Sequence, residues 1–160
     1  MTLLEQLANA PDLFEATLRD FPPALVNWTP PDWEAAPAEH FSALGTMCHL
    51  RDIEVDGYHV RLRRVAVETE PDLASVDGYA LAVERKYAEE SLERVVAEFR
   101  AARRVTLAYV SAWATEYERT ATFAEYGRLS GRGLLQLLAS HDLQHLSGLR
   151  WLLARGSALK

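Results

Sequence analysis

The sequence predicts an all-α protein, a four-helix bundle, and three observations carry that prediction. Apolar residues recur at intervals of three and four through four long stretches. Strand-like alternation is nearly absent. Serines able to accept an orphan backbone N–H stand ahead of three of the stretches, at Ser42, Ser91 and Ser130.

Taken in chain order, a helical turn is expected over residues 2–8 and a first helix over 11–20. Pro11 suits the first turn of that helix, and Leu13, Phe14, Ala16 and Leu18 are available for burial. Phe21-Pro22-Pro23 ends it. Residues 27–33, with Trp28 and Trp33, read as an ordered loop pinned by the two indoles. A second helix runs from the Ser42 cap to about Ala66, its inward stripe passing through Gly45, His49, Ile53 (or Asp52), Asp56 and Val60. Residues 67–90 form a long crossover containing Pro71, Asp77 and Gly78, with a short helix over 79–87. From Ser91 a third helix is expected to reach Tyr117 on Val95, Phe99, Ala102, Thr106, Tyr109 and Trp113. An irregular connection over 118–130 leads to the fourth helix. Its stripe is Leu134, Leu138, His141, His145, Leu149 and Leu152, and Gly156 is expected to stop it. The long crossover between the second and third helices permits a topology other than simple up-down-up-down.

Length and composition bound the function. At 160 residues, 49% apolar and 25% charged, the chain reads as one globular domain over residues 1–160. A domain of that size buries roughly 70% of its unfolded surface and needs no disulfide, consistent with the single Cys48. The N-terminus lacks a basic n-region and carries Glu5, Asp12 and Glu15, and no run approaches the ~20 apolar residues of a membrane helix. A cytoplasmic address with no membrane partner is expected. Net charge is −6, with 23 acidic against 17 basic residues, which opposes binding to a phosphate backbone. The local clusters Arg61, Arg63, Arg64 and Arg100, Arg103, Arg104 read as solvated helix faces.

The chemistry is concentrated in His141-Asp142-Leu143-Gln144-His145. Residues four apart lie one turn apart on one helix face, so both imidazoles can direct nitrogens to one ion at about 2.0–2.1 Å. The pair lies on an otherwise leucine-lined stripe, where two unpaired imidazoles would both be desolvated without compensation. His49, on the mixed inward stripe of the second helix, is the candidate third ligand. Three imidazoles leave positions open for water or substrate and suit Zn, Ni, Fe or Co. Asp52, one turn from His49, reads as an orienting or proton-accepting group, or else as an ion-paired carboxylate. Cys48 points about 100° away from His49 and reads as a small buried hydrophobe. His40 is expected to be exposed, and His59 rotated away from the site.

At these residues the sequence resembles the DinB/YfiT-like superfamily of metal-binding four-helix bundles, over nearly the whole chain. The likeness is carried by Phe41-Ser42, His49-Leu50-Arg51-Asp52-Ile53-Glu54, Pro71 to Asp77, Tyr87, Phe99 with Arg103, Gly127, Leu134-Leu135 and the fourth-helix histidine motif. Phe41 stands where tryptophan is common, and Gly45 where glutamate is. The resemblance implies an up-down-down-up bundle, a divalent metal ion on His49, His141 and His145, and homodimerisation. For the last, Trp113 and Trp151 add an argument, being hard to bury together in one narrow core. It also implies a small-molecule substrate and, as in some relatives, transfer to or from a low-molecular-weight thiol. A metal-dependent hydrolase and a non-catalytic, stress-related metal- or small-molecule-binding bundle are the alternatives.

Overall fold

The computed structural model describes residues 1–157. Helix α1 (Leu3–Arg19) opens with a capping box. The Glu5 N–H donates to Thr2 Oγ1 at 3.2 Å, and the Thr2 N–H donates to the Glu5 carboxylate at 2.7 Å. The expected break between residues 8 and 11 is absent, and Pro11 sits in the middle of one continuous helix. Proline has no N–H, so the Leu7 carbonyl loses its helical donor; Arg103 Nη1 supplies one at 2.9 Å. An interior proline is tolerated here because a buried side chain from another helix replaces the missing bond.

The segment after α1 is held as expected. Trp28 and Trp33 pack on the core, and Trp33 stacks on His40 and on Trp151, with ring centroids 4.7 and 5.7 Å away. The second bundle helix is built in three parts: α2 (Ala43–Asp52), a wide turn of π geometry (Ile53–Tyr58) and α3 (His59–Val67). Ser42 caps it, accepting from the Gly45 N–H at 3.1 Å. At its end Arg119 donates to the carbonyls of Val65 (2.8 Å) and Glu68 (2.6 Å).

The wide turn corrects the expected stripe. In it the His59 N–H reaches back five residues, to the Glu54 carbonyl. One extra residue per turn moves the inward face on by one position, from Asp56 and Val60 to Gly57 and Arg61. Accordingly Val60 is 42% exposed, whereas Tyr58, Arg61, Leu62 and Val65 are buried.

The crossover carries β1 (Asp72–Leu73), α4 (Gly78–Glu84) and a 3₁₀ turn (Tyr87–Glu89). Asp77 caps α4 through the Tyr79 and Ala80 N–H groups, both at 3.0 Å. Helix α5 (Leu92–Ser111), capped by Ser91, ends short of Tyr117 because the Ala114 N–H turns to the Glu116 carboxylate at 2.7 Å. Residues 118–130 are not irregular. The alternating Thr120-Ala121-Thr122-Phe123 forms β2 (Thr120–Phe123), antiparallel to β3 (Gly127–Ser130), while β1 joins β2 in parallel with Asp72 opposite Thr122. Gly127 takes φ +70° where the hairpin turns. Ser130 then caps α6 (Gly131–Ser157) through the Gly133 N–H at 3.1 Å. Gly156 does not stop α6; the helix continues through it, and the missing Cβ admits Leu25, whose Cδ1 would lie 2.6 Å from one.

Side-chain pairings fix the topology. Arg51–Glu98, Glu54–Arg103 and His59–Thr106 ascend together, so the second and third bundle helices are parallel. Leu7–Arg103 and Asp12–Arg100 run oppositely, so α1 and α5 are antiparallel. His49–His145 and Tyr58–His141 make the second helix antiparallel to α6. The bundle is therefore up-down-down-up. None of the helices among the described residues is long and apolar enough to cross a membrane.

The core is divided by a polar layer at mid-height. One apolar half centres on Phe14, Met47, Phe99 and Leu149, and the other on Leu62, Val65, Leu134 and Leu138. Between them Arg103, 1% exposed, donates from Nε and Nη2 to the Glu54 carboxylate, both at 2.8 Å. Its Nη1 and Nη2 donate to Asp142 at 2.7 and 3.0 Å. Thr106 Oγ1 completes the layer by donating to Glu54 at 2.5 Å. Arg103 is thus no solvated surface cation. Trp113 and Trp151 are partly buried and both have aromatic partners within the chain (Tyr109 and Tyr117; Trp33).

Arg103→Met should cost on the order of 3–5 kcal/mol, because two buried carboxylates lose their counter-ion. The shift in urea midpoint at unchanged m-value measures this. A loss below about 1 kcal/mol would show that the layer is not what holds the helices in register.

Candidate metal centre

Two of the four long helical segments and one loop make the site. His49 sits on α2 just before the wide turn. His141 and His145 occupy successive turns of α6. Glu39 arrives from the segment held by Trp33 and His40, two residues before the Phe41-Ser42 helix start. Their ligating atoms all lie within 4.8 Å of one another. His141 Nε2 is 3.2 Å from His49 Nε2 and 3.1 Å from His145 Nε2. Glu39 Oε2 is 3.2 Å from His145 Nε2, and Oε1 is 3.9 Å from His49 Nε2.

This arrangement fits a divalent ion. Nitrogens about 2.05 Å from a shared tetrahedral ion lie roughly 3.3 Å apart, and octahedral neighbours roughly 2.9 Å; the two separations from His141 Nε2, 3.2 and 3.1 Å, fall between these. An N–H on each Nε2 would point hydrogens at one another, whereas Nδ1–H tautomers turn three lone pairs to one point. Glu39 Oε2 is buried and accepts no hydrogen bond from a described residue. One cation would satisfy the three converging Nε2 atoms, with Glu39 Oε2 beside it.

Burial keeps the imidazoles neutral and so able to ligate. It holds His145 down to about 4. His49 is also lowered to about 4, first by burial and then by His145, against the opposing pull of Glu39 and Asp52. His141 is held well below the usual histidine range by burial and by the two neighbouring imidazoles. Gly78, at the start of α4, lies flat on the His49 ring; a Cβ there would come within 2.5 Å of Nδ1.

The other expected residues are placed elsewhere. Asp52 is ion-paired: its oxygens accept from Arg51 Nε (2.7 Å), Arg85 Nη1 (2.9 Å) and the Tyr87 hydroxyl (2.7 Å), and it is not among the four clustered groups. Cys48 is fully buried, its Sγ 4.0 Å from the Tyr87 carbonyl and its thiol pushed up to about 11 by burial. His59 lies on the α5 side, its Nε2 3.1 Å from both the Ala102 carbonyl and Thr106 Oγ1. His40 is exposed on Trp33. Glu39 is the residue that periodicity could not find, because it stands on a loop, outside every helical stripe. Beside the cluster opens a cavity of about 310 Å³, bordered by His49 and His141 and walled by Tyr58, Arg61, Tyr79 and Phe123.

The depressed histidines make a pH prediction. An exposed imidazole titrates at 6.5, so between about 6.5 and 4 the unfolded chain takes up protons that folded His49 and His145 refuse. Metal-free protein should therefore lose stability as pH falls through that window and show no such slope above it. His145→Gln should lose less over the same range. Parallel urea-midpoint curves for the two proteins between pH 7 and 4 would contradict the assignment.

The comparisons with known proteins agree with this architecture. The fold is similar to that of YfiT from Bacillus subtilis, described as a probable metal-dependent hydrolase with an unusual four-helix bundle topology. The TM-score is 0.82 at 13% identity, covering 97% of this chain and 86% of that one. No curated protein matches the sequence. A family model for the DinB superfamily matches residues 6–148, and the chain accordingly belongs to the DinB superfamily.

Proposed function

We propose that the protein is a divalent-metal-dependent enzyme acting on a small molecule in this cavity, with hydrolysis as the reaction the site supports best. The observation carrying this reading is the convergence of three imidazole nitrogens and one carboxylate at the wall of an accessible cavity. His49, His141 and His145 would hold the ion, and Zn, Ni, Fe or Co suits such donors. When bound, a divalent ion supplies Lewis acidity and lowers the pKa of water at its open positions. Glu39 is placed to take the proton that the nucleophile gives up, since its Oε2 has no competing donor other than the site itself. The buried neutral imidazoles cannot take that role while they ligate. YfiT's description as a hydrolase supports the same choice.

Thiol-dependent transfer is the second reading. The chain's one thiol, Cys48, is buried and outside the cluster, so any reacting sulfur would have to come from a small-molecule thiol in the cavity. A cobalt-substituted sample titrated with biological thiols separates the two, since sulfur at the ion gives a charge-transfer band. Homodimerisation is carried by the family relationship alone.

Protein purified without a histidine tag should contain near-stoichiometric metal. Metal at about 100 times its Kd should stabilise the wild type and His59→Ala by about 2.7 kcal/mol. His141→Ala should fold and show far less of that shift. Glu39→Gln should keep metal yet slow turnover of any accepted substrate by roughly 10²–10⁴. Equal metal-induced shifts in His141→Ala and wild type would remove the metal centre from this reading.

A further inference from the structure

The bundle buries two arginines, and they are treated differently. Arg103 is fully paired, as described above. Arg61, 5% exposed, donates from Nε to the Ala74 carbonyl at 3.0 Å, and no carboxylate among the described residues lies within 4.0 Å of its guanidinium. Its Cζ instead lies over the rings of Phe123 (4.6 Å) and Tyr58 (5.3 Å), with the guanidinium at the wall of the cavity beside the histidines. Ring faces compensate part of a cation's lost hydration, but they leave its outer N–H donors free.

The chain also makes room for this group. Gly57, in the wide turn, has no Cβ; one would meet Arg61 Nη1 at 2.8 Å. The same turn is what brings position 61 to the inward face at all. An unpaired arginine held in this way on aromatic rings is a site for an anion, which its planar fork can take by two parallel hydrogen bonds. Tyr58, over which it lies, has its ring 6.4 Å from that of His141.

We propose that Arg61 is the anion-binding residue of this cavity, and that the substrate is a small molecule carrying one carboxylate. This assignment rests on the cavity being the substrate site proposed above. The carboxylate would dock on Arg61 while another part of the molecule reaches the histidines. A monoanion is favoured over a phosphate dianion because Glu39, Asp77 and Glu125 border the same cavity and repel added negative charge. The aromatic walls favour an apolar body between the two ends.

Binding of 3-phenylpropionate, its neutral amide and phenyl phosphate, measured by calorimetry on metal-free and zinc-loaded protein, tests this. Metal-free wild type should prefer the carboxylate over the amide by roughly ten- to hundred-fold, the range of a charge-assisted pair. Arg61→Met, which keeps the apolar stem, should abolish the preference, and Arg61→Lys should keep part of it. Gly57→Ala should reduce it without removing the charge, and serves if Arg61→Met fails to fold. A preference seen only with zinc, or surviving Arg61→Met, would overturn the assignment, as would no binding of any probe or a stronger preference for phenyl phosphate. Because the metal-free arm does not involve the ion, failure of the histidine cluster to bind metal leaves this result readable by itself.

Discussion

The guanidinium of Arg103 touches all four long helices of the bundle. It is rooted in α5, grips Glu54 on the second helix and Asp142 on α6, and fills the Leu7 carbonyl that Pro11 leaves open on α1. A buried charge is costly to desolvate, and here the cost is offset only when every partner is in place. That requirement acts as a registry device. Apolar stripes tolerate a slip of one turn; an arginine with five assigned donors does not. Asp142 is the neighbour of His141, so the register that satisfies Arg103 also sets how far along α6 the two histidines stand from His49.

The polar layer and the histidine cluster use opposite electrostatic solutions at nearly the same height. In the layer, one cation lies between two carboxylates, away from solvent. In the cluster, three neutral bases and a single carboxylate face a shared point. Burial acts oppositely on the two: it holds the imidazoles unprotonated, whereas in the layer it pushes Asp142 up to about 6 against the pull of Arg103. Arg103 is engaged by its two carboxylates and Arg61 lies over Tyr58 and Phe123, and both cations help to hold His141 unprotonated.

Much of this was legible in the sequence, for definite reasons. Leu134, Leu138, His141, His145 and Leu149 lie on a regular α-helix, where spacing of three and four translates directly into a face. The serine caps at Ser42, Ser91 and Ser130 were legible because capping is local chemistry. What escaped depends on geometry that spacing does not encode. Pro11 was read as a helix start because nothing local indicates that Arg103 would replace its missing bond. Glu39 lies on a loop whose path depends on Trp33 stacking against Trp151, more than a hundred residues away. The hairpin over 120–130 offers only four alternating residues in its first strand, too few to stand out. Arg61 and Arg103 looked like surface cations because composition cannot tell a solvated arginine from one placed over rings or between carboxylates.

The wide turn at Ile53–Tyr58 divides one helix into two independently phased halves. The half before it carries His49 and is phased to the cluster; the half after it carries Tyr58 and Arg61 and is phased to the cavity wall. In an unbroken helix, gaining or losing a residue would rotate everything downstream by about 100°. A change at the turn would likewise rotate the distal half, presenting a different set of side chains beside the same histidines, while the half carrying His49 keeps its phase. Length at this one point thus sets what the cavity wall presents, independently of where His49 stands.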